Sequence, residues 1–174
     1  MRATEHAPAY ASKRLGAKIL AVNPHPQVPP EIQPPADAEL VLRAHAAGFQ
    51  IYVCQEGADG RLNWTLKAPE ATLYDEQGSV IGQHYAGPTW KHNDGSEVTA
   101  KVTARVNAPD ISAIPWLLLR VTGHSGNGAL SRVTAIQRVQ TMGGHPPAGG
   151  CGASSRGTEA RSEYEAEYYF YAGS

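Results

Sequence analysis

Glu97-Val-Thr-Ala-Lys-Val-Thr-Ala-Arg-Val106 decides the fold, because Val98, Ala100, Val102, Ala104 and Val106 alternate with Thr99, Lys101, Thr103 and Arg105. A period of two sends successive side chains to opposite faces of an extended chain, so this stretch predicts a long strand with one buried face. The same alternation returns in Gln50-Ile-Tyr-Val-Cys54, Leu62-Asn-Trp-Thr-Leu-Lys67, Arg132-Val-Thr-Ala-Ile-Gln-Arg-Val139 and Tyr164-Glu-Ala-Glu-Tyr-Tyr-Phe-Tyr171. In the last run Tyr164, Tyr168 and Phe170 fall on one face, Tyr169 and Tyr171 on the other. Trp116-Leu-Leu-Leu-Arg-Val121 is continuously apolar and suits a strand covered on both faces. Asp59-Gly60 and Asp94-Gly95 supply the residue pair favoured in tight hairpins, the first predicting a reversal over Gly57 to Arg61. Eight to ten such strands with no strand–helix repeat predict an all-β chain: an antiparallel β-sandwich of jelly-roll type, with a closed β-barrel as the alternative.

The 174 residues suit one hydrophobic core. Fifteen basic against sixteen acidic residues leave a formal charge of -1, so no broad basic field exists to hold nucleic acid. No apolar run approaches the ~20 residues of a membrane-crossing helix. Near the N-terminus, Lys18 interrupts Leu15 to Val22, too short an apolar stretch for a signal-peptide core. Six prolines within Pro24 to Pro35 favour an extended, polyproline-like path. The chain therefore divides into an N-terminal arm, residues 1–35, with one short helix expected over Ser12 to Ala21, and a single β domain, residues 36–174.

Gly82-Gln-His-Tyr-Ala-Gly-Pro-Thr-Trp-Lys-His-Asn-Asp-Gly-Ser96 concentrates the chemistry-bearing residues and reads as a loop between strands. An imidazole, an indole and a carboxylate near one rim can hold a flat organic molecule or a sugar, which makes His84, Tyr85, Trp90, Asp94 and His124 the candidate ligand-binding set. His84 also has a structural reading, as a ring that bonds loop carbonyls and packs on Trp90. Trp64 and Trp116 read as core. Neutral imidazoles of His84, His92 and His124 could bind copper or zinc, with Asp94 adding an oxygen, although no His-x-His or His-Glu-x-x-His spacing is present. His6, His25, His45 and His145 have no local constellation and are expected at the surface.

Catalytic signatures are sparse. No Gly-x-Ser-x-Gly elbow occurs, and Ser125 beside His124 says nothing about side-chain geometry. Gly123-His-Ser-Gly-Asn-Gly128 lacks the spacing and the following helix of a dinucleotide site. Asp75 and Glu76 sit beside Gly78 in an expected solvated turn. Cys54, ending a strand-like run, and Cys151, in the Gly143 to Gly157 loop, are either one disulfide or two unrelated thiols.

Gly48-Phe-Gln-Ile-Tyr-Val-Cys54, Lys67-Ala-Pro-Glu-Ala-Thr-Leu73, Gly82 to Trp90, Asp94-Gly-Ser96, Ala113-Ile-Pro-Trp-Leu-Leu-Leu119, Ile136-Gln-Arg-Val139 and Tyr168-Tyr-Phe-Tyr171 together resemble the domain of unknown function 3455 family, over about Val28 to Tyr171. The resemblance implies a secreted bacterial or fungal protein without an assigned activity, and its two cysteines match Cys54 and Cys151. That favours the disulfide and a secreted or periplasmic location. Two departures stand out: no signal peptide is evident, and His92 occupies a place where the family leads us to expect another residue. The expectation is an extracytoplasmic β protein that binds a small molecule, a glycan or a partner surface at the His/Trp/Asp rim. The alternatives are a copper or zinc enzyme on the three histidines and a structural envelope or stress protein.

Overall fold

A computed structural model describes residues 25–173, so the helix expected over Ser12 to Ala21 lies outside the described residues. Eight strands follow one another: β1 (Glu39–Glu56), β2 (Leu62–Tyr74), β3 (Val80–Tyr85), β4 (Thr89–His92), β5 (Glu97–Val106), β6 (Trp116–Ser125), β7 (Val133–Gly143) and β8 (Glu159–Ala172). Each pairs antiparallel with the next, and β8 pairs with β1, so the all-β meander forms a closed ring. Reversals fall where Asp-Gly predicts them, with Gly57 N–H donating to the Arg61 carbonyl and Gly95 N–H to that of His92. The segment from Gly82 to Ser96, expected as a loop, is instead the β3–β4 hairpin and the turn into β5. Its eight strand positions from Gly82 to Tyr85 and Thr89 to His92 include few apolar residues, which hides the strand period.

The ring closes over only part of its wall. β3 pairs with β2 only from Ala71 to Tyr74, and β4 with β5 only from Glu97 to Thr99. Among the described residues, Leu62–Glu70 of β2 and Lys101–Val106 of β5 therefore have no ladder partner on the sides facing this short hairpin. Pro69, which has no N–H to offer, is at home in a stretch of strand with an unpaired side. The result is a window in the wall, flanked by β2 and β5 and capped by the Gly87-Pro88 turn.

Two apolar clusters sandwich the sheet. The inner one gathers Ala44 and Ala46 of β1, Leu73 of β2, Trp90, Val98, Leu117 and Leu119, Ile136, and Tyr164, Tyr168 and Phe170. The outer one gathers Ile32, Ala135, Val139, Tyr169 and Tyr171, with Trp116 and Leu118 against it. The tyrosines thus split by parity as their spacing predicts, and the apolar run of β6 is covered on both faces at Trp116–Leu119. β5 departs from its pattern. Its register slips by one residue between Val102 and Ala104, a bulge at Thr103. One extra residue reverses the facing of everything after it. Val98 and Ala100 accordingly join the inner cluster, Ala104 and Val106 pack on the outer one, and Val102 is 41% exposed.

The described part of the N-terminal arm covers the outer cluster. Pro30–Ile32 form one 3-10 turn, flanked by Pro29 (φ -58°, ψ 153°) and Gln33 (φ -65°, ψ 139°) in the polyproline-like geometry expected of this composition. Ile32 is fully buried, and Gln137 Nε2 donates to its carbonyl at 2.8 Å. Cys54 and Cys151 form a disulfide spanning a sequence separation of 97 and tying the Gly-rich segment to the end of β1. Among the described residues no helix is long and apolar enough to cross a membrane.

Candidate functional site

His84 and Trp90 are directly paired across the β3–β4 hairpin, so their side chains share a face. Their rings stack with centroids 4.2 Å apart, and Tyr168 packs edge-on against both. The ring Nδ1 of His84 lies 2.8 Å from the Thr89 carbonyl, which can only accept, so Nδ1 carries the hydrogen and Nε2 the lone pair of a neutral ring. Burial pushes its pKa down to about 3, the Thr89 carbonyl opposing and the Arg138 charge adding to the effect. Both the structural reading of His84 and its proximity to Trp90 hold.

The window between β2 and β5 opens on a cavity of about 280 Å³ whose floor includes His84, Trp90, Tyr168 and Gln50 and whose rim includes Leu66, Pro69, Pro88 and Val102. Leu66 and Val102 are large apolar residues left exposed there. Two of the lining residues also hold a polar atom that is closed off from solvent and has no hydrogen-bond partner: Gln50 Oε1 and Trp90 Nε1. Buried polar atoms are normally satisfied, and leaving one unpaired costs about 1–3 kcal/mol. The charged lining comes from Arg138 of β7 and Lys67 of β2, with no Asp or Glu. Arg138 shares the inward face with Ile136, two residues earlier, and its Nε and Nη2 donate to the Pro115 carbonyl at 3.2 and 2.7 Å.

The remaining candidates lie elsewhere. Tyr85 is at the surface, its hydroxyl donating to Glu97 at 3.3 Å. Asp94 organises the β4–β5 turn, accepting from Ser96 Oγ at 2.6 Å and from Ala129 N–H at 2.7 Å, and these bonds, the Ser96 hydroxyl first, hold its carboxyl down at about 2. His92 lies 3.2 Å from the same carboxylate. His124 Nε2 donates to the Val133 carbonyl at 2.7 Å. Along the sheet the pairing runs His84, Trp90, Val98, His124, three strand spacings of ~4.8 Å and so roughly 14 Å from the first histidine to the last. No group of three or more His, Cys, Asp or Glu side chains able to hold a metal ion occurs among the described residues.

Trp64 departs from its core reading: only partly buried, it donates its indole N–H to the Gly149 carbonyl at 2.9 Å. A bulge at Lys67, where Ile51 faces Ala68 but Tyr52 faces Leu66, explains why Leu66 does not continue an inward face. His45, expected alone at the surface, is bonded to Glu167 at 2.8 Å and Glu165 at 3.0 Å across β1 and β8. Gln50 and Arg138 carry little sequence signal of their own, because a lone polar residue in an alternating strand reads as solvent-facing. Their signal was parity, since Gln50 lies in phase with Ala44 and Ala46, and Arg138 with Ile136.

Fold and site together define a disulfide-stapled antiparallel β protein whose interior is reached through a gap in its wall. The chain belongs to the family described as Protein of unknown function (DUF3455), whose profile matches residues 35–172. No curated protein and no solved structure matches it.

Proposed function

We propose that this protein binds a small organic molecule in the windowed cavity, and that it does so outside the cytoplasm. The observation that carries the first part is the cavity itself, about 280 Å³ behind a gap in the sheet, with Leu66 and Val102 exposed at its rim and Gln50, Trp90 and Arg138 among its lining. A few convergent polar groups within apolar walls are the ordinary composition of a ligand site. The disulfide supports the second part, since such bonds persist in oxidising compartments. A neutral, deeply buried His84 serves here as wall and stacking partner, and Tyr85, Asp94 and His124 serve the fold.

The test is titration of the purified protein with small aromatic and aliphatic compounds, followed by the indole N–H resonance of Trp90. A saturable shift of that resonance, lost when Val102→Trp fills the window in a protein that still melts cooperatively, is the expected result. If no compound moves the resonance, or if Val102→Trp binds as tightly as the native chain, the cavity is not the site.

A further inference from the structure

Resting on the reading above, we infer that the molecule taken into the cavity is a small organic acid: a carboxylate carried on a compact apolar body. Arg138 carries the argument. It projects to the inner face of the ring beside Tyr168 and Leu117, its neighbours in register on either side. Among the described residues no carboxylate forms an ion pair with it; the ion pairs belong to Arg43, His45, Lys67, His92, Arg156 and Arg161. Its Nε and Nη2 rest on one backbone carbonyl, that of Pro115, which supplies a dipole but no countercharge.

Arg138 is half-buried, and a guanidinium partly withdrawn from water gains from a countercharge that its own surroundings do not supply. Here the missing countercharge and the cavity coincide. The other cation at the rim, Lys67, is paired with Glu159, which leaves Arg138 to set the sign of the site. Trp90, whose ring lines the same cavity, supplies an apolar face beside the guanidinium. Gln50 lines the same cavity, and its amide Nε2 can offer an N–H to the acid.

The apolar part of the ligand follows from the walls. Leu66, Pro69, Pro88, Val102, Leu117 and Leu119 make much of the wall apolar, a poor match for a sugar's several hydroxyls, and about 280 Å³ lies near the lower end of cavities that hold organic ligands. The site therefore fits a single-ring aromatic acid or a short-chain fatty acid and discriminates against a glycan. Carboxylate recognition by a planar, doubly donating guanidinium also sets orientation, with the acid inward and the apolar end towards the window.

The experiment compares isosteres on the intact protein by calorimetry and by the Trp90 resonance: benzoate against benzamide, and hexanoate against hexanamide. We expect each acid to bind at least tenfold more tightly than its amide. Arg138→Gln should abolish that preference while amide binding persists, and Arg138→Lys should keep part of it. Because Arg138→Gln also removes the bonds to Pro115 and can destabilise the fold, the acid–amide comparison on the native chain is decisive by itself. Equal binding of acids and amides overturns this inference but leaves cavity binding intact. Failure of all four probes, together with silence across the wider panel, overturns both.

Discussion

The His84 imidazole lies face to face with the Trp90 indole, centroids 4.2 Å apart and planes within 17° of parallel, while its Nδ1–H is held by the Thr89 carbonyl. The neutral ring is thereby the form that the folded state accepts. With the pKa pushed from 6.5 down to about 3, the unfolded chain binds this proton more readily than the folded one between those values. The contribution is complete above pH 6.5 and is lost on acidification, by up to about 1.4 kcal/mol per pH unit. His45 behaves oppositely: burial works to lower its pKa, but its bonds to Glu167 and Glu165 outweigh that and raise it, so its smaller, partly solvent-screened contribution is present in acid and fades as pH rises. Melting temperatures of native protein and His84→Gln should therefore converge as pH falls from 7 towards 4.5. Parallel curves would mean that His84 is not the group responsible.

Gln50→Leu should stabilise the unliganded protein and weaken ligand binding. The substitution keeps the side-chain volume and removes an unpartnered buried oxygen whose desolvation costs about 1–3 kcal/mol, so a melting temperature higher by several degrees is expected. A protein that neither gains stability nor loses affinity would show that Gln50 is satisfied in a way unrelated to the cavity.

Asp94→Asn should lower stability by roughly 1 kcal/mol and leave affinity for cavity ligands unchanged. The loss follows from weakening the charge-assisted bonds to Ser96 Oγ and Ala129 N–H, which brace the β4–β5 turn against the loop before β7. Reduced affinity at unchanged stability would return Asp94 to the binding site.

Cleaving the disulfide should cost about 4–5 kcal/mol in the chain-entropy account, given a closed loop approaching 100 residues, and lower the melting temperature by about ten degrees. Differential scanning calorimetry of Cys54→Ala/Cys151→Ala is the measurement. A native protein whose two thiols react with Ellman's reagent would remove the premise.

Ile32→Ala should destabilise by roughly 2–5 kcal/mol, the usual range for emptying a large aliphatic site. Chemical denaturation reads this directly; a change under 1 kcal/mol would mean that the arm lies on the barrel without supporting it.

Where the alternation is uninterrupted, as from Tyr164 to Tyr171, sequence parity assigned every aromatic ring to its correct side of the sheet. It could not anticipate Thr103 or Lys67, because a bulge adds one residue to a ladder whose partner strand is unknown until the chain has folded. The same blindness hid the cavity. His84 and Trp90 drew attention as scarce residue types close together, whereas Gln50 and Arg138 arrive from strands far apart in sequence, and only the register of β1, β7 and β8 sets them at one floor. Asp94 and His124 join His84 and Trp90 only through an expected common rim, and membership of a loop carries no information about side-chain direction.

A ring whose first and last strands are zipped together withholds its backbone from outsiders, so neighbours cannot lengthen the sheet as they do in fibrils. The unladdered flanks of β2 and β5 are an exception, and they are also where exposed Leu66 and Val102 stand. A bound guest lying across that gap would shield both at once, which links occupancy to colloidal behaviour: the empty protein is the form at risk of self-association.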